Sequence, residues 1–200
     1  MFNKVSQRAI AAILAVAVVA TGAAAALTGW RTSQVSAAWQ HPQIGGHFEL
    51  STPDGRAVTD ETFRGKWMLI YFGYTYCPDV CPTTLMSMVR ALKTLGPLAD
   101  KVQPLFVTVD PQRDTPEIIG EYVKEFDPHL IGLVGSSQQI AAAAHYFHVY
   151  YAARQLGNDE YVIDHSSFIY VIDPSGAFVR LLSGDLPGHE LADQLLKLIS

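Results

Sequence analysis

The chain has 200 residues, 49% of them hydrophobic and 16% charged, with a formal net charge of −5. That is room for one domain of ordinary size with a real core. Three of the 14 basic residues (Lys4, Arg8, Arg31) and none of the 19 acidic ones lie in the N-terminal segment, so the remainder is more acidic still and repels nucleic-acid phosphates, excluding nucleic acid as a partner.

The run Ala9 to Gly29, AIAAILAVAVVATGAAAALTG, holds no charge. About 20 apolar residues suffice to cross a bilayer as a helix. Lys4 and Arg8 before it favour a cytoplasmic N-terminus and a translocated C-terminal domain. A cleaved signal peptide is the rival reading, with small residues at Ala23 to Ala26 or around Ala37 to suit a peptidase. The run exceeds the roughly 7–15 residues of a usual signal core, which favours a retained single-pass anchor. The expected organisation is a membrane anchor over 1–31, a linker over 32–46 and one domain over 47–200. The linker is polar and small, with Pro42 and Gly45-Gly46 at its end.

Within the domain, His47–Leu50 and Ala57–Thr59 flank Thr52-Pro53-Asp54-Gly55, a hairpin signal. Lys66–Tyr74 is a continuous, aromatic-rich apolar run and reads as a buried strand. Leu85, Met88, Val89, Leu92 and Leu95 have helical spacing within Thr83–Leu95. Val102–Val109 reads as a second buried strand. Thr115–Phe126 reads as a helix with Pro116 in its first turn and Glu117 near its positive end. Leu130–Val134 is a short strand, and Ser137–Phe147 a helix capped by Ser136 or Ser137. Val149–Val162 is an irregular insert with Gly157-Asn158 as a hairpin turn. Ser167–Ile172 and Ala177–Leu182 flank the turn Asp173-Pro174-Ser175-Gly176, and Pro187–Ile199 is a final helix. Strands alternating with helices give an α/β layer fold.

The chain has two cysteines, Cys77 and Cys81, inside YFGYTYCPDVCP. Two are too few for a disulfide-built scaffold, so the pair points to chemistry. Such thiols can form a disulfide, hold a soft metal, or do both in turn. Pro82 suits a first helical position, which would make Cys81 the cap and leave Cys77 in the loop above. A helix N-terminus favours thiolate over thiol. The familiar redox spacing has two intervening residues; three permit a wider bite on a shared external atom. A dithiol at a strand–helix junction, followed by an antiparallel hairpin, narrows the fold to thioredoxin-like: a mixed sheet flanked by helices, with an added N-terminal hairpin.

Two thiolates select soft ions, and one imidazole completes a copper-compatible set. His165, in YVIDHSSFIYVIDPSG, is the best third donor among seven histidines. In a thioredoxin-like fold that junction faces the dithiol. Thioredoxins place a cis proline there; Asp164 to Phe168 contains none.

FGYTYCPDVCPTTL, VTVDPQRDTPE and DHSSFIYVIDPSG, with YFH after the third helix, resemble the Sco/SenC family of copper proteins from about Pro42 onward. The resemblance implies a thioredoxin-like domain behind a membrane anchor, with copper held by Cys77, Cys81 and His165. It further implies a metallochaperone that takes one Cu(I) or Cu(II) ion and assists assembly of the binuclear copper site of cytochrome c oxidase. The oxidase subunit that carries this copper would be the partner, with other periplasmic copper chaperones and thioredoxin-like reductants beside it. The implied location is the bacterial inner membrane, with the domain on the periplasmic side. The alternative on the same residues is a thiol–disulfide oxidoreductase that uses Cys77 and Cys81 to reduce the copper-receiving cysteines. A peroxide-reducing thiol enzyme is a third reading, but it would need no histidine across the site.

Other residues read more plainly. Asp164 is either a second-sphere acceptor for the imidazole or a strand-entry residue bonded to local backbone. Asp79 favours the helix start, and Asp110 and Asp114 have local structural roles at a strand end. His145 and His148, three apart, read as packed or solvated. Met88 lies on the apolar face, Met86 is a spare thioether, and Tyr71, Phe72, Tyr74 and Tyr76 read as strand packing that also shields the site.

Overall fold

The computed structural model describes residues 44–158 and 160–199. The expected anchor over 1–31 and nearly all of the linker over 32–46 lie outside the described residues. Among those described, no helix is long and apolar enough to cross a membrane.

The Thr52–Gly55 turn joins β1 (Glu49–Ser51) to β2 (Ala57–Thr59), with Leu50 opposite Val58. A 3-10 turn, Asp60–Phe63, then leads to β3 (Trp67–Gly73). Next come α1 (Val80–Leu95), β4 (Val102–Thr108), α2 (Pro116–Lys124), β5 (Ile131–Leu133) and α3 (Ser137–Tyr146). Ser136 and Gln139 form a reciprocal capping box at the start of α3. β6 (Tyr151–Gly157) and β7 (Glu160–His165) form a hairpin. The chain closes with β8 (Phe168–Ile172), β9 (Phe178–Ser183) and α4 (Gly188–Ile199).

The main sheet runs β5-β4-β3-β8-β9. β3 pairs parallel with β4 and antiparallel with β8, and β8 pairs antiparallel with β9. This is the expected thioredoxin-like arrangement, with one added strand. β3 lies at its centre, and Met68 to Phe72 are buried throughout, which explains their continuous apolar run in place of alternation. α4 packs on α1, where a Cβ at Gly188 would stand 2.5 Å from that of Arg90.

The topology decides where the site can form. β3 ends at Gly73 and hands the chain to the cysteine loop and α1. β8 runs the other way, with Ile169 opposite Tyr71. The residues just before β8 therefore arrive at the sheet end where β3 finishes, and His165 is among them.

Two expectations need correction. α1 begins at Val80, with Asp79 as the flanking residue, so Cys81 is inside the helix and Pro82 is its third residue. Proline fits there because the first N–H groups of a helix have no intrahelical partner. The insert after Val149 forms the expected hairpin at Gly157-Asn158, but its arms are regular strands, β6 and β7, bulged between Gln155 and Gly157. β7 continues through His165, which makes the histidine the last residue of a strand.

Candidate metal centre

Cys77 sits in the loop between β3 and α1, and Cys81 in the first turn of α1. Both are buried free thiols, Cys81 completely and Cys77 nearly so. The Cys81 N–H points at Cys77 Sγ at 3.4 Å, one of the helix-start amides that favour negative charge. Cys81 Sγ nests against the end of β3. A Cβ at Gly73 would stand 2.7 Å from that sulfur and 2.9 Å from the Phe106 ring, so glycine is what lets helix and strand approach this closely.

His165 completes the group. Its Nε2 lies 3.4 Å from Cys81 Sγ, and its Nδ1 lies 3.0 Å from the Ser166 carbonyl. A carbonyl only accepts, so that bond puts the proton on Nδ1 and leaves the Nε2 lone pair facing the sulfurs. The edges of Tyr71 and Tyr74 flank the imidazole, with ring centroids 6.2 and 5.8 Å away. The ligand atoms of Cys77, Cys81 and His165 all lie within 4.8 Å of one another. One ion bonded to each at roughly 2.0–2.3 Å would hold donors no further apart than about twice that length. The three residues therefore fit a shared soft ion with slight closure.

The two thiols are strongly coupled. The hydrogen bond from Cys81 pulls Cys77 down to about 4, against an opposing cost of burial, while nearby backbone amides help. Cys81 is pushed well above the ordinary thiol range by that same pairing and by burial. The same pairing lowers one thiol and raises the other, which favours a single proton held between the two sulfurs. The Tyr71 hydroxyl lies 3.8 Å from Cys81 Sγ; burial chiefly raises its pKa and keeps it protonated.

The cysteine loop is fixed from below. Asp114, buried, accepts from the Thr75 N–H at 3.2 Å, the Thr75 hydroxyl at 2.5 Å and the Thr108 hydroxyl at 2.5 Å. Asp110 accepts from Tyr161 Oη at 2.8 Å and Arg113 Nε at 2.6 Å. Both aspartates therefore do more than the local work expected of them: beside their local bonds to Thr108 and Arg113 they reach Thr75 and Tyr161, far away in sequence. Asp164 takes neither expected role: it lies within β7, and its carboxylate pairs with the Arg154 side chain at 3.0 Å on the exposed surface instead of with the imidazole or local backbone. Asp79 makes no side-chain cap bond. His145 and His148 are exposed, with ring centroids 6.5 Å apart. Met88 is buried, Met86 is 40% exposed, and Tyr76 is 57% exposed.

Sequence reasoning missed Arg113. Its guanidinium lies over the rings of Tyr161, Tyr76 and Tyr74, with centroids 3.6, 4.8 and 5.8 Å away. The aromatic residues around the cysteines and near His165 were the available signal, but nothing local paired them with this arginine.

The SCO1/SenC family pattern matches residues 36–200. The human mitochondrial SCO2 homolog is 41% identical over 153 residues, which is 75% of this chain and 58% of that protein. The match covers 51% of the human mitochondrial SCO1 homolog, so the chain spans little over half the length of these relatives. Bradyrhizobium japonicum ScoI, solved with copper bound, is 42% identical with a TM-score of 0.72, over 77% of this chain and 98% of that one. Arabidopsis thaliana ScoI, also solved with copper bound, is 39% identical with a TM-score of 0.73, over 77% of this chain and 96% of that one. On the family match and on these identities, the chain belongs to the SCO1/SenC family.

Proposed function

We propose that this protein is a copper metallochaperone that binds one copper ion through Cys77, Cys81 and His165. One observation carries the reading: two sulfurs and an imidazole nitrogen, drawn from opposite ends of the domain sequence, converge within 4.8 Å. Two thiolates suit Cu(I), and the imidazole extends the set to Cu(II). The copper-bound relatives support the choice of ion. The recipient is the copper-bearing subunit of cytochrome c oxidase, whose binuclear site the protein helps to assemble; family membership supports this. The Ala9–Gly29 run anchors the chain in the inner membrane with its domain on the periplasmic side, supported by the length of the run and the flanking Lys4 and Arg8.

Handing over cargo needs a site that partners can reach. Cys77 and His165 border an open cleft shared with Pro78, Arg154 and Asp164. Exchange of one donor at a time there lets an incoming thiolate replace Cys77 or His165 while the buried Cys81 still holds the ion.

The test is anaerobic copper titration of the reduced full-length chain beside Cys77→Ser and Cys81→Ser. One equivalent bound tightly by the native chain, and lost in both variants, is expected. Undiminished binding in either variant would overturn the assignment.

The low-lying Cys77 thiolate favours a second reading, thiol–disulfide exchange. Cys77 would attack a partner disulfide, forming a mixed disulfide and releasing one partner thiolate. Cys81 would then attack Cys77 and release the second. The partner gains two electrons, and the Cys77–Cys81 pair becomes a disulfide that an external thioredoxin-like dithiol must reduce. A mixed disulfide trapped by Cys81→Ser, with activity retained in His165→Ala, would establish it.

A further inference from the structure

Arg113 and Asp114 are neighbours whose hydrogen bonds run to different halves of the site, although the Arg113 guanidinium also lies over the Tyr76 and Tyr74 rings beside the cysteines. Asp114 holds the cysteine side through Thr75 and Thr108. Arg113 reaches the histidine side: its Nη1 donates to the Tyr161 carbonyl at 2.9 Å. Its Nε donates to Asp110, which also accepts the Tyr161 hydroxyl. The guanidinium lies 3.6 Å from the Tyr161 ring centroid. Tyr161 and His165 share β7.

The need for such a tie follows from the topology. β6 and β7 form a two-stranded sheet of their own, outside the five-stranded one. Its strands are mostly exposed or half-buried, with Ile163 the one buried residue. A hairpin with so little apolar burial is weakly held by packing. What fixes the strand that carries His165 is polar: the Arg113–Asp110–Tyr161 cluster, the Ile163 N–H donating to Tyr74 Oη at 3.2 Å, and the Ser166 N–H donating to the Tyr150 carbonyl at 2.9 Å.

We propose that Arg113 is a positioning residue for His165, locking β7 so that the imidazole stays on the dithiol. This rests on the reading of Cys77, Cys81 and His165 as copper ligands. Copper bound with the imidazole should depend on Arg113; Cu(I) held by the sulfurs alone should depend on it far less, because the hydrogen bonds that hold that loop run to Asp114.

The test compares Arg113→Gln and Tyr161→Phe with the native full-length chain in anaerobic Cu(II) and Cu(I) titrations, with electron paramagnetic resonance of the Cu(II) forms. Arg113→Gln should weaken Cu(II) binding about tenfold and alter its spectrum toward that of His165→Ala, while Cu(I) affinity stays within about twofold. Tyr161→Phe, which keeps the ring and loses one hydrogen bond, should do the same at about threefold. In a His165→Ala background, Arg113→Gln should change nothing further, because its effect passes through the imidazole. Tyr161→Phe carries the test if Arg113→Gln does not fold. Native-like Cu(II) spectra and affinity in the folded variants, or full additivity with His165→Ala, would overturn the role of Arg113 alone. A native chain whose Cu(II) spectrum is unmoved by His165→Ala would overturn the ligand assignment, and this inference with it.

Discussion

Cys81 Sγ and His165 Nε2 lie 3.4 Å apart across 84 positions of sequence. The sulfur is fully buried in the first turn of a helix, and the nitrogen is held in place by a bond from the far side of its ring. This single contact joins the two halves of the site, and the cysteine half rests on two supports.

The first support is the absence of a side chain at residue 73. Gly73→Ala would press a methyl to 2.7 Å from Cys81 Sγ and 2.9 Å from Phe106. Over-packing of this kind costs roughly 1–3 kcal/mol. Denaturant unfolding should show that loss, and the displaced Cys81 should bind copper more weakly.

The second support is Asp114. Asp114→Asn replaces a carboxylate facing three donors with an amide that can turn only one oxygen toward them. A loss of about 1–3 kcal/mol follows from the donor left without its bond. Amide hydrogen exchange should show Thr75 losing protection before the residues of β3 do.

The coupled thiols give a definite pH dependence. In the folded chain Cys77 titrates at about 4, and Cys81 well above its ordinary value of 9.0. An unfolded chain keeps both protons until that ordinary range. Between about pH 4 and 9 the unfolded state therefore binds one more proton, so the pair's contribution to stability rises with pH. Above that window the unfolded chain loses both protons while Cys81 retains one, and the contribution falls. Urea midpoints of the reduced, metal-free chain from pH 5 to 8 should rise more steeply than those of Cys77→Ser.

Much of this was legible in the sequence, for local reasons. Tyr71 and Phe72 announced a buried central strand because both of its faces are covered, and Asp173-Pro174-Ser175-Gly176 fixed the β8–β9 turn. Cys77 and Cys81 stood out because there were no others, and His165 because an antiparallel β8 must begin where β3 ends. The start of α1 was misplaced because Pro82 is allowed at more than one position of a first turn, and Asp79 makes no side-chain cap bond to mark it. Arg113 was invisible because its partner carbonyl, on Tyr161, is 48 positions away, and no periodicity links residues across that distance.

Asp164 provides a control. It neighbours His165, yet its bonds run to Arg154 on an exposed edge. Such surface pairs are screened by water and contribute little. Asp164→Asn should leave copper affinity within about twofold and the Cu(II) spectrum unchanged; a loss as large as that of His165→Ala would assign it a part in holding the ring.

X-ray absorption at the copper edge of the loaded full-length chain tests the convergence of the three donors most directly. Two sulfur scatterers together with imidazole scattering, the latter vanishing in His165→Ala, is the predicted result. A native spectrum with sulfur ligands and no imidazole contribution in either copper oxidation state would contradict it.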